Sequence, residues 1–256
     1  LKNGSEFRML LVGPVTIFAY CERGNDPSFW AEPFNAVTNA GFVAAALAGM
    51  VLIARQRAPS RSAWPMFFIV NLIAIGIGSF LFHTVPNATT VAADTGPIGL
   101  FMVTYLIFAV RNFVRGSWLM TALAAAAFVA LMAVAFSLRW LDARIGLNGS
   151  LGYVPAFIAM LGIGSWLAVK RRPSALWVLG AGGVFAISLT LRSIDRVVCG
   201  DLVVLDHRLG THFAWHILNS VTLFLLLAAA IKYGARAQEV LPPKPRPSPS
   251  LHFGRP

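Results

Sequence analysis

Charge is scarce in this chain. Only 12% of its 256 residues are Asp, Glu, Lys or Arg, against roughly 25% in soluble globular domains. Apolar residues make up 57%, and the mean hydropathy is +0.70. A soluble globular core is thereby excluded as the main architecture. Acidic residues are scarcer still, 10 against 21 Lys and Arg, for a formal charge of +11. That surplus is no nucleic-acid signature, because no basic stripe with interleaved aromatics occurs in any soluble-looking segment. It reads as membrane anchoring. Cysteine is limited to Cys21 and Cys199. Neither an internal repeat nor a second domain is visible, and nothing points to a protein partner.

Apolar length is what the chain has instead. A helix needs roughly 20 apolar residues to cross a hydrocarbon layer of about 30 Å. Seven runs qualify, at 34–54, 65–84, 93–110, 117–137, 150–169, 174–194 and 211–233. The predicted fold is an all-α integral membrane protein, a seven-transmembrane helix bundle. Lys and Arg flanking short loops stay cytoplasmic. With the N-terminus outside and the C-terminus cytoplasmic, Arg55, Arg57, Arg61, Arg111, Arg115, Lys170, Arg171 and Arg172 fall in inner loops. Lys232, Arg236, Lys244, Arg246 and Arg255 then lie at the cytoplasmic end. The acids divide the other way. Glu239 alone is inside, while Glu6, Glu22, Asp26, Glu32, Asp94, Asp142, Asp195, Asp201 and Asp206 lie outside or at outer helix ends, which marks the outer face as functional.

LKNGSEF resembles an expression-vector remnant, with Met9 a candidate initiator, so residues 1–8 are set apart. Residues 9–33 form an outer N-terminal segment, in which LLVGPVTIFAY is too short to span and reads as interfacial or as a plug. Residues 34–233 are the transmembrane domain. Residues 234–256, with PPKPRPSPSLHFGRP, are expected to be a disordered cytoplasmic tail. Short loops and the lack of an N-terminal signal extension favour a bacterial cytoplasmic (inner) membrane, with the site toward its outer face.

In such a background, polar groups able to bind metal are costly and informative. His212 and His216 in THFAWH are four residues apart, so both imidazoles share one helix face. Ser79 and His83 in GSFLFH repeat that spacing, and Asp94 opens the next helix. Antiparallel counting brings all five to one outer-leaflet layer. Three neutral imidazoles leave a tetrahedral zinc with an open position for water, as in catalytic sites. A carboxylate beside them can take a proton from that water or orient a ligand histidine, and a serine hydroxyl can donate to a developing oxyanion. The competing reading, polar residues bonding helices together, does not call for three histidines at one depth. A bis-histidine haem site would leave Ser79 and Asp94 without a role. A transporter would place charged pairs at mid-membrane depth, where none is evident.

GSFLFHT, the downstream Asp94 and THFAWHIL together resemble the alkaline ceramidase family, within a superfamily that also holds adiponectin and progestin-type receptors. YCERG, FWAEPFNAVTN and RSIDRVVC resemble the ceramidase branch in particular, and the resemblance runs from about Tyr20 to Leu218. It implies a seven-helix zinc amidase acting on ceramide or a related N-acyl membrane lipid, releasing a sphingoid base or amine and a fatty acid. His83, His212 and His216 would bind zinc, Asp94 would activate the water, and Ser79 would assist at the carbonyl oxygen. A receptor or sensor with the same zinc site but without efficient turnover is the alternative.

The same resemblance implies a calcium ion held by Glu22, Asn25, Asp26 and Glu32. However, the acid that the family places two positions before the cysteine is Ala19 here, and solvated surface acids are the other reading. It also implies a Cys21–Cys199 disulfide, which an oxidising outer compartment would permit; two unpaired thiols are the alternative. His207 in DHRLGTH reads as a loop residue. Arg192, Asp195 and Arg196 read as local charge pairing or anchoring. Trp30, Trp140 and Trp215 read as an interfacial belt, with the lipid pocket a second place for Trp215.

Overall fold

The computed structural model describes residues 20–56, 62–204 and 207–234. The expectations for LKNGSEF, Met9, the segment through Ala19, Arg57, Arg61, Asp206 and the tail from residue 235 fall outside the described residues.

Seven helical spans are long and apolar enough to cross a membrane: Pro33–Ala54, Trp64–Thr84, Ala88–Val114, Trp118–Ser137, Ser150–Val169, Ala175–Ile194 and His212–Tyr233. The protein is an integral membrane helix bundle. The first span joins α1 (Pro33–Thr38) to α2 (Ala40–Ala54). Next come α3 (Trp64–Thr84), α4 (Ala88–Phe108) with a π-helical continuation at Ala109–Val114, and α5 (Trp118–Ser137). A short α6 (Arg139–Ile145) and a 3-10 turn (Ser150–Tyr153) lead into α7 (Val154–Val169) and then α8 (Ala175–Ile194). Two-residue strands β1 (Val203–Val204) and β2 (His207–Arg208) pair antiparallel before α9 (His212–Tyr233), so the backbone of His207 lies in this ribbon.

Helix α9 is the central element. It packs against α8, α2, α1 and α3, while α3 lies along α4 and α7 along α8. Its lower turns place Leu226, Leu227 and Ile231 in a core with Phe42, Phe68, Leu72, Ile75, Phe101 and Phe108. Elsewhere large apolar side chains such as Leu119, Leu123, Ile158 and Leu176 face outward. Exposed apolar surface on this scale fits hydrocarbon rather than water as the surrounding solvent. Trp30 and Trp140 at one end and Trp118 at the other are also exposed, as expected of aromatic side chains at the two interfaces.

The third span starts earlier and ends later than its apolar run suggests. Asn87 caps α4 by accepting from the amides of Thr89 and Thr90 at 2.9 and 3.0 Å, and the Thr90 hydroxyl accepts from the Asn87 amide at 2.9 Å. This capping box sets the start at Ala88. Pro97 lies inside α4 and removes the amide that would bind the Ala93 carbonyl. One turn on, the buried Asn71 of α3 bridges the ladder. In the amide orientation that satisfies both neighbours, it donates to the Pro97 carbonyl (3.1 Å) and accepts from the Phe101 amide (3.2 Å). A polar side chain wedged in beside a proline is a known cause of a helix bend.

Candidate metal centre

The last turn of α3 and the first turns of α9 meet at one end of the bundle. His83, His212 and His216 are all buried there, and each offers a ligand atom within 4.8 Å of the others. The ring centroids are 5.3 Å apart for His83 and His212, 4.8 Å for His83 and His216, and 4.6 Å for His212 and His216.

The hydrogen bonds around the rings leave nitrogens free to face one another. Nδ1 of His83 donates to Oε2 of Glu32 at 2.5 Å, and its Nε2 is buried without a partner. The Thr38 hydroxyl sends its hydrogen to the Phe34 carbonyl at 2.7 Å, so its oxygen is free to accept from Nδ1 of His216 at 3.1 Å. His216 therefore also keeps Nε2 for other use. Nδ1 of His212 is buried with no partner. Buried ring nitrogens are rarely left unsatisfied. Three imidazoles with free nitrogens turned toward one point, two of them oriented by an oxygen acceptor, fit a tetrahedral zinc with room for one further ligand.

Ser79, one turn before His83, is buried, and its side chain interacts with the half-buried Asp94 of α4. Asp94 also lies within electrostatic reach of His83. Gly78 makes this approach possible. A Cβ built on it would fall 2.0 Å from the Ala93 carbonyl oxygen, the one Pro97 has freed, and 3.2 Å from the Asp94 amide. The missing side chain of Gly78 lets α4 approach α3 closely enough to bring Asp94 within electrostatic reach of His83.

The N-terminal segment closes the site from above. Tyr20 stacks on His212 with ring centroids 3.5 Å apart. Cys21 is joined to Cys199 by a disulfide across a Cα–Cα distance of 5.4 Å. The Cys21 amide donates to Oδ2 of the buried Asp195 at 2.9 Å. Oδ1 of the same carboxylate accepts from the amides of Thr211 (2.7 Å) and His212 (2.9 Å), which caps α9. Asp195 is therefore not the ion-pair partner that its position between Arg192 and Arg196 suggests: among the described residues no carboxylate lies within salt-bridge distance of either arginine. Gly210, at φ +61°, completes the corner, because a Cβ there would lie 2.2 Å from Oδ1 of Asp195 and 2.6 Å from Cβ of Cys21.

Of the four oxygen-bearing residues expected to hold calcium, the three acids bond to other groups. Glu22 accepts from the Phe34 and Asn35 amides at 2.7 and 2.8 Å, which caps α1. Burial pushes its carboxyl up to about 7 despite those two amides. Asp26 is exposed and bonded to the Ser28 amide and hydroxyl, and Asn25 is exposed. Glu32 is buried in a different network. Arg23, itself buried, donates from Nε to Oε1 of Glu32 at 2.5 Å, from Nη1 to the carbonyls of Asp26 and Ser28 at 3.1 Å each, and from Nη2 to the His83 carbonyl at 2.8 Å. Burial pulls the Glu32 carboxyl up, but its bonds from His83, Asn35 and Arg23 outweigh this and hold it below the ordinary range. A guanidinium thus gathers the oxygens that a hard cation would need. Among the described residues, only the three histidines form a convergent metal-ligating group.

The sequence did not point to Arg23, Thr38 or Tyr20, nor to the bonds that Glu32 makes with Arg23, Asn35 and His83. The available signal was a charged residue inside YCERG, a segment already set apart by its resemblance. Trp215 is buried rather than interfacial. It packs between Tyr153 and Phe185, with centroids 5.1 and 5.7 Å away.

Below the histidines, between α4, α5, α7, α8 and α9, lies an apolar cleft whose lining includes Met102, Phe128, Tyr153, Phe185 and Leu223. A membrane bundle with a buried three-histidine centre, an adjacent Ser–Asp pair and an apolar cleft beneath defines an intramembrane zinc hydrolase. The chain belongs to the ceramidase family, whose profile matches residues 17–240. It is a zinc-dependent hydrolase acting on a lipid amide. Comparison with curated proteins gives no match.

Proposed function

We propose that the protein hydrolyses ceramide or a closely related N-acyl lipid at this centre, releasing a fatty acid and a sphingoid base or other amine. His83, His212 and His216 would hold the zinc, which when bound would polarise the amide carbonyl and lower the pKa of water toward neutrality. Asp94 takes a proton from the attacking water and returns it to the departing nitrogen as the carbon–nitrogen bond breaks and the new carbon–oxygen bond forms. Ser79, beside Asp94, donates to the carbonyl oxygen as it gains charge. The apolar cleft below accepts an acyl chain, so the lipid enters sideways with its tails still in apolar surroundings.

Charge distribution supports an orientation with the centre toward the outer face and the C-terminus cytoplasmic. Among the described residues, Arg55, Arg111, Arg115, Lys170, Arg171, Arg172 and Lys232 lie at the opposite end from the centre, and every Asp and Glu lies toward the centre's end. A bacterial cytoplasmic membrane fits this arrangement.

The observation that carries the reading is the convergence of three buried histidines beside Ser79 and Asp94, directly above an apolar cleft. The test is fatty-acid release from a panel of N-acyl sphingoid bases by detergent-purified protein, with zinc measured on the same sample. Chelation should abolish turnover and zinc should restore it. Asp94→Asn should keep its zinc and lose about 10²–10⁴ in rate, and Ser79→Ala about 10². Full zinc occupancy with no release from any lipid would point instead to a sensor-type relative.

A further inference from the structure

A second cleft opens beside Tyr20, the residue stacked on His212. It is lined by Tyr20, Asp142, Asn148, Arg192 and Arg196 among others. Two cations and one acid face it, and the acid is already used: Asp142 accepts from the amides of Gly149 at 2.6 Å and Leu151 at 2.9 Å.

Arg192 is held there by aromatic faces rather than by a counter-ion. Its guanidinium carbon lies 5.5, 5.2 and 5.3 Å from the ring centroids of Tyr20, Tyr153 and Trp215. Nη1 donates to the Tyr20 hydroxyl at 2.9 Å, and Nε is buried without any partner. A buried guanidinium donor without an acceptor is costly unless a ligand supplies one. Arg196 follows one helical turn later, exposed and facing the same cleft. The cage also ties this cleft to the rest of the site. Tyr153, one face of the cage, lines the apolar cleft, and Tyr20, which lines the second, stacks on His212. A lipid whose amide sits at the histidines, with its acyl chain in the apolar cleft, would place its amine half beside Arg192.

Resting on the hydrolase reading above, we infer that the Arg192–Arg196 cleft binds an anionic group, a carboxylate or a phosphate, on the amine half of the substrate. The substrate class is thus an N-acyl lipid with an acidic headgroup. Arg192 supplies a fork of donors suited to a planar or tetrahedral oxyanion, and its aromatic cage fixes the direction of that fork.

The test compares N-lauroylglycine with N-lauroylethanolamine, which share a chain and differ chiefly in the charge of the amine half. Wild-type protein should favour the glycine conjugate in kcat/KM. Arg192→Gln should lower the anionic-to-neutral ratio by about tenfold or more, the worth of a charge-assisted hydrogen bond, and Arg196→Gln should lower it less. A ratio needs no assumption about how much active protein each variant yields. Binding of both lipids and of laurate to the His212→Ala protein, which cannot turn over, separates this idea from the hydrolase reading. Preferential, Arg192-dependent binding of N-lauroylglycine there supports the cleft even if no lipid is hydrolysed. Preference for the neutral lipid, or a ratio that both variants leave unchanged, overturns it. So does Arg192-dependent binding of laurate equal to that of N-lauroylglycine, which would make the cleft a site for the released acid.

Discussion

At the scale of single residues, the metal centre is governed by groups that never touch the metal. Glu32 fixes the tautomer of His83 by accepting from its Nδ1 at 2.5 Å, and Arg23 balances the charge of Glu32 in a place shielded from water. Removing one member of a buried charged network leaves the other uncompensated, which costs more than the pair contributes. Glu32→Gln preserves shape but cannot keep Nδ1 protonated as firmly. Zinc affinity should fall by about 10–100-fold, measured by competition with a chromogenic chelator. Arg23→Gln should act in the same direction through Glu32. Adding calcium should rescue neither variant's zinc affinity, because the carboxylates of Glu22 and Asp26 are bonded to other backbone and side-chain groups. Undiminished affinity in Glu32→Gln would reduce that carboxylate to a helix contact.

At the scale of elements, the spans were legible because hydrocarbon thickness imposes a length and an apolar composition that no soluble segment of this chain shares. The i, i+4 pairs were legible for the same kind of reason: a helix puts Ser79 with His83, and His212 with His216, whatever surrounds it. The approach of α4 to α3 was not legible. It depends on Pro97 freeing a carbonyl, on Asn71 filling the break and on Gly78 offering no Cβ, three residues that carry no metal-site signature of their own. Nor could the sequence say that Arg23 would take the place expected of a cation, since its four acceptors come together only once the N-terminal segment folds over α3. Gly78→Ala tests the geometry directly. The new methyl cannot remain 2.0 Å from a backbone oxygen, so α4 must move outward and take Asp94 with it, while His83, His212 and His216 sit on α3 and α9. A displacement on the order of 1 Å can cost about 10² in rate. The variant should bind zinc normally and turn over slowly; loss of zinc in equal proportion would show that α4 supports the histidines as well.

At the scale of the whole molecule, the bundle is held by the membrane, but the site is closed by a segment outside the spans. Tyr20, Cys21 and Arg23 lie over His212 and His83, and three ties hold them down: the Cys21–Cys199 disulfide, the Asp195 carboxylate and the Arg23–Glu32 pair. The disulfide closes a loop of sequence separation 178. For a chain free in water, cross-linking so long a loop would stabilise the fold by about 5 kcal/mol on the chain-entropy estimate. Here the helices remain inserted when tertiary contacts loosen, so most of that loop is already confined and the global effect must be far smaller. The consequence should be local. In the double variant Cys21→Ala, Cys199→Ala, the thermal midpoint should shift only slightly, because α9 still packs against α8, α2, α1 and α3. Zinc should leave severalfold faster, because Tyr20 is then held over His212 without its covalent tie. The rate of zinc loss to excess chelator, compared with wild type in oxidising and reducing buffer, separates the two effects. Reduction should accelerate loss from wild type toward the variant's rate and leave the variant unchanged. Equal rates in all four samples would mean that Asp195 and Arg23 suffice to keep the segment closed.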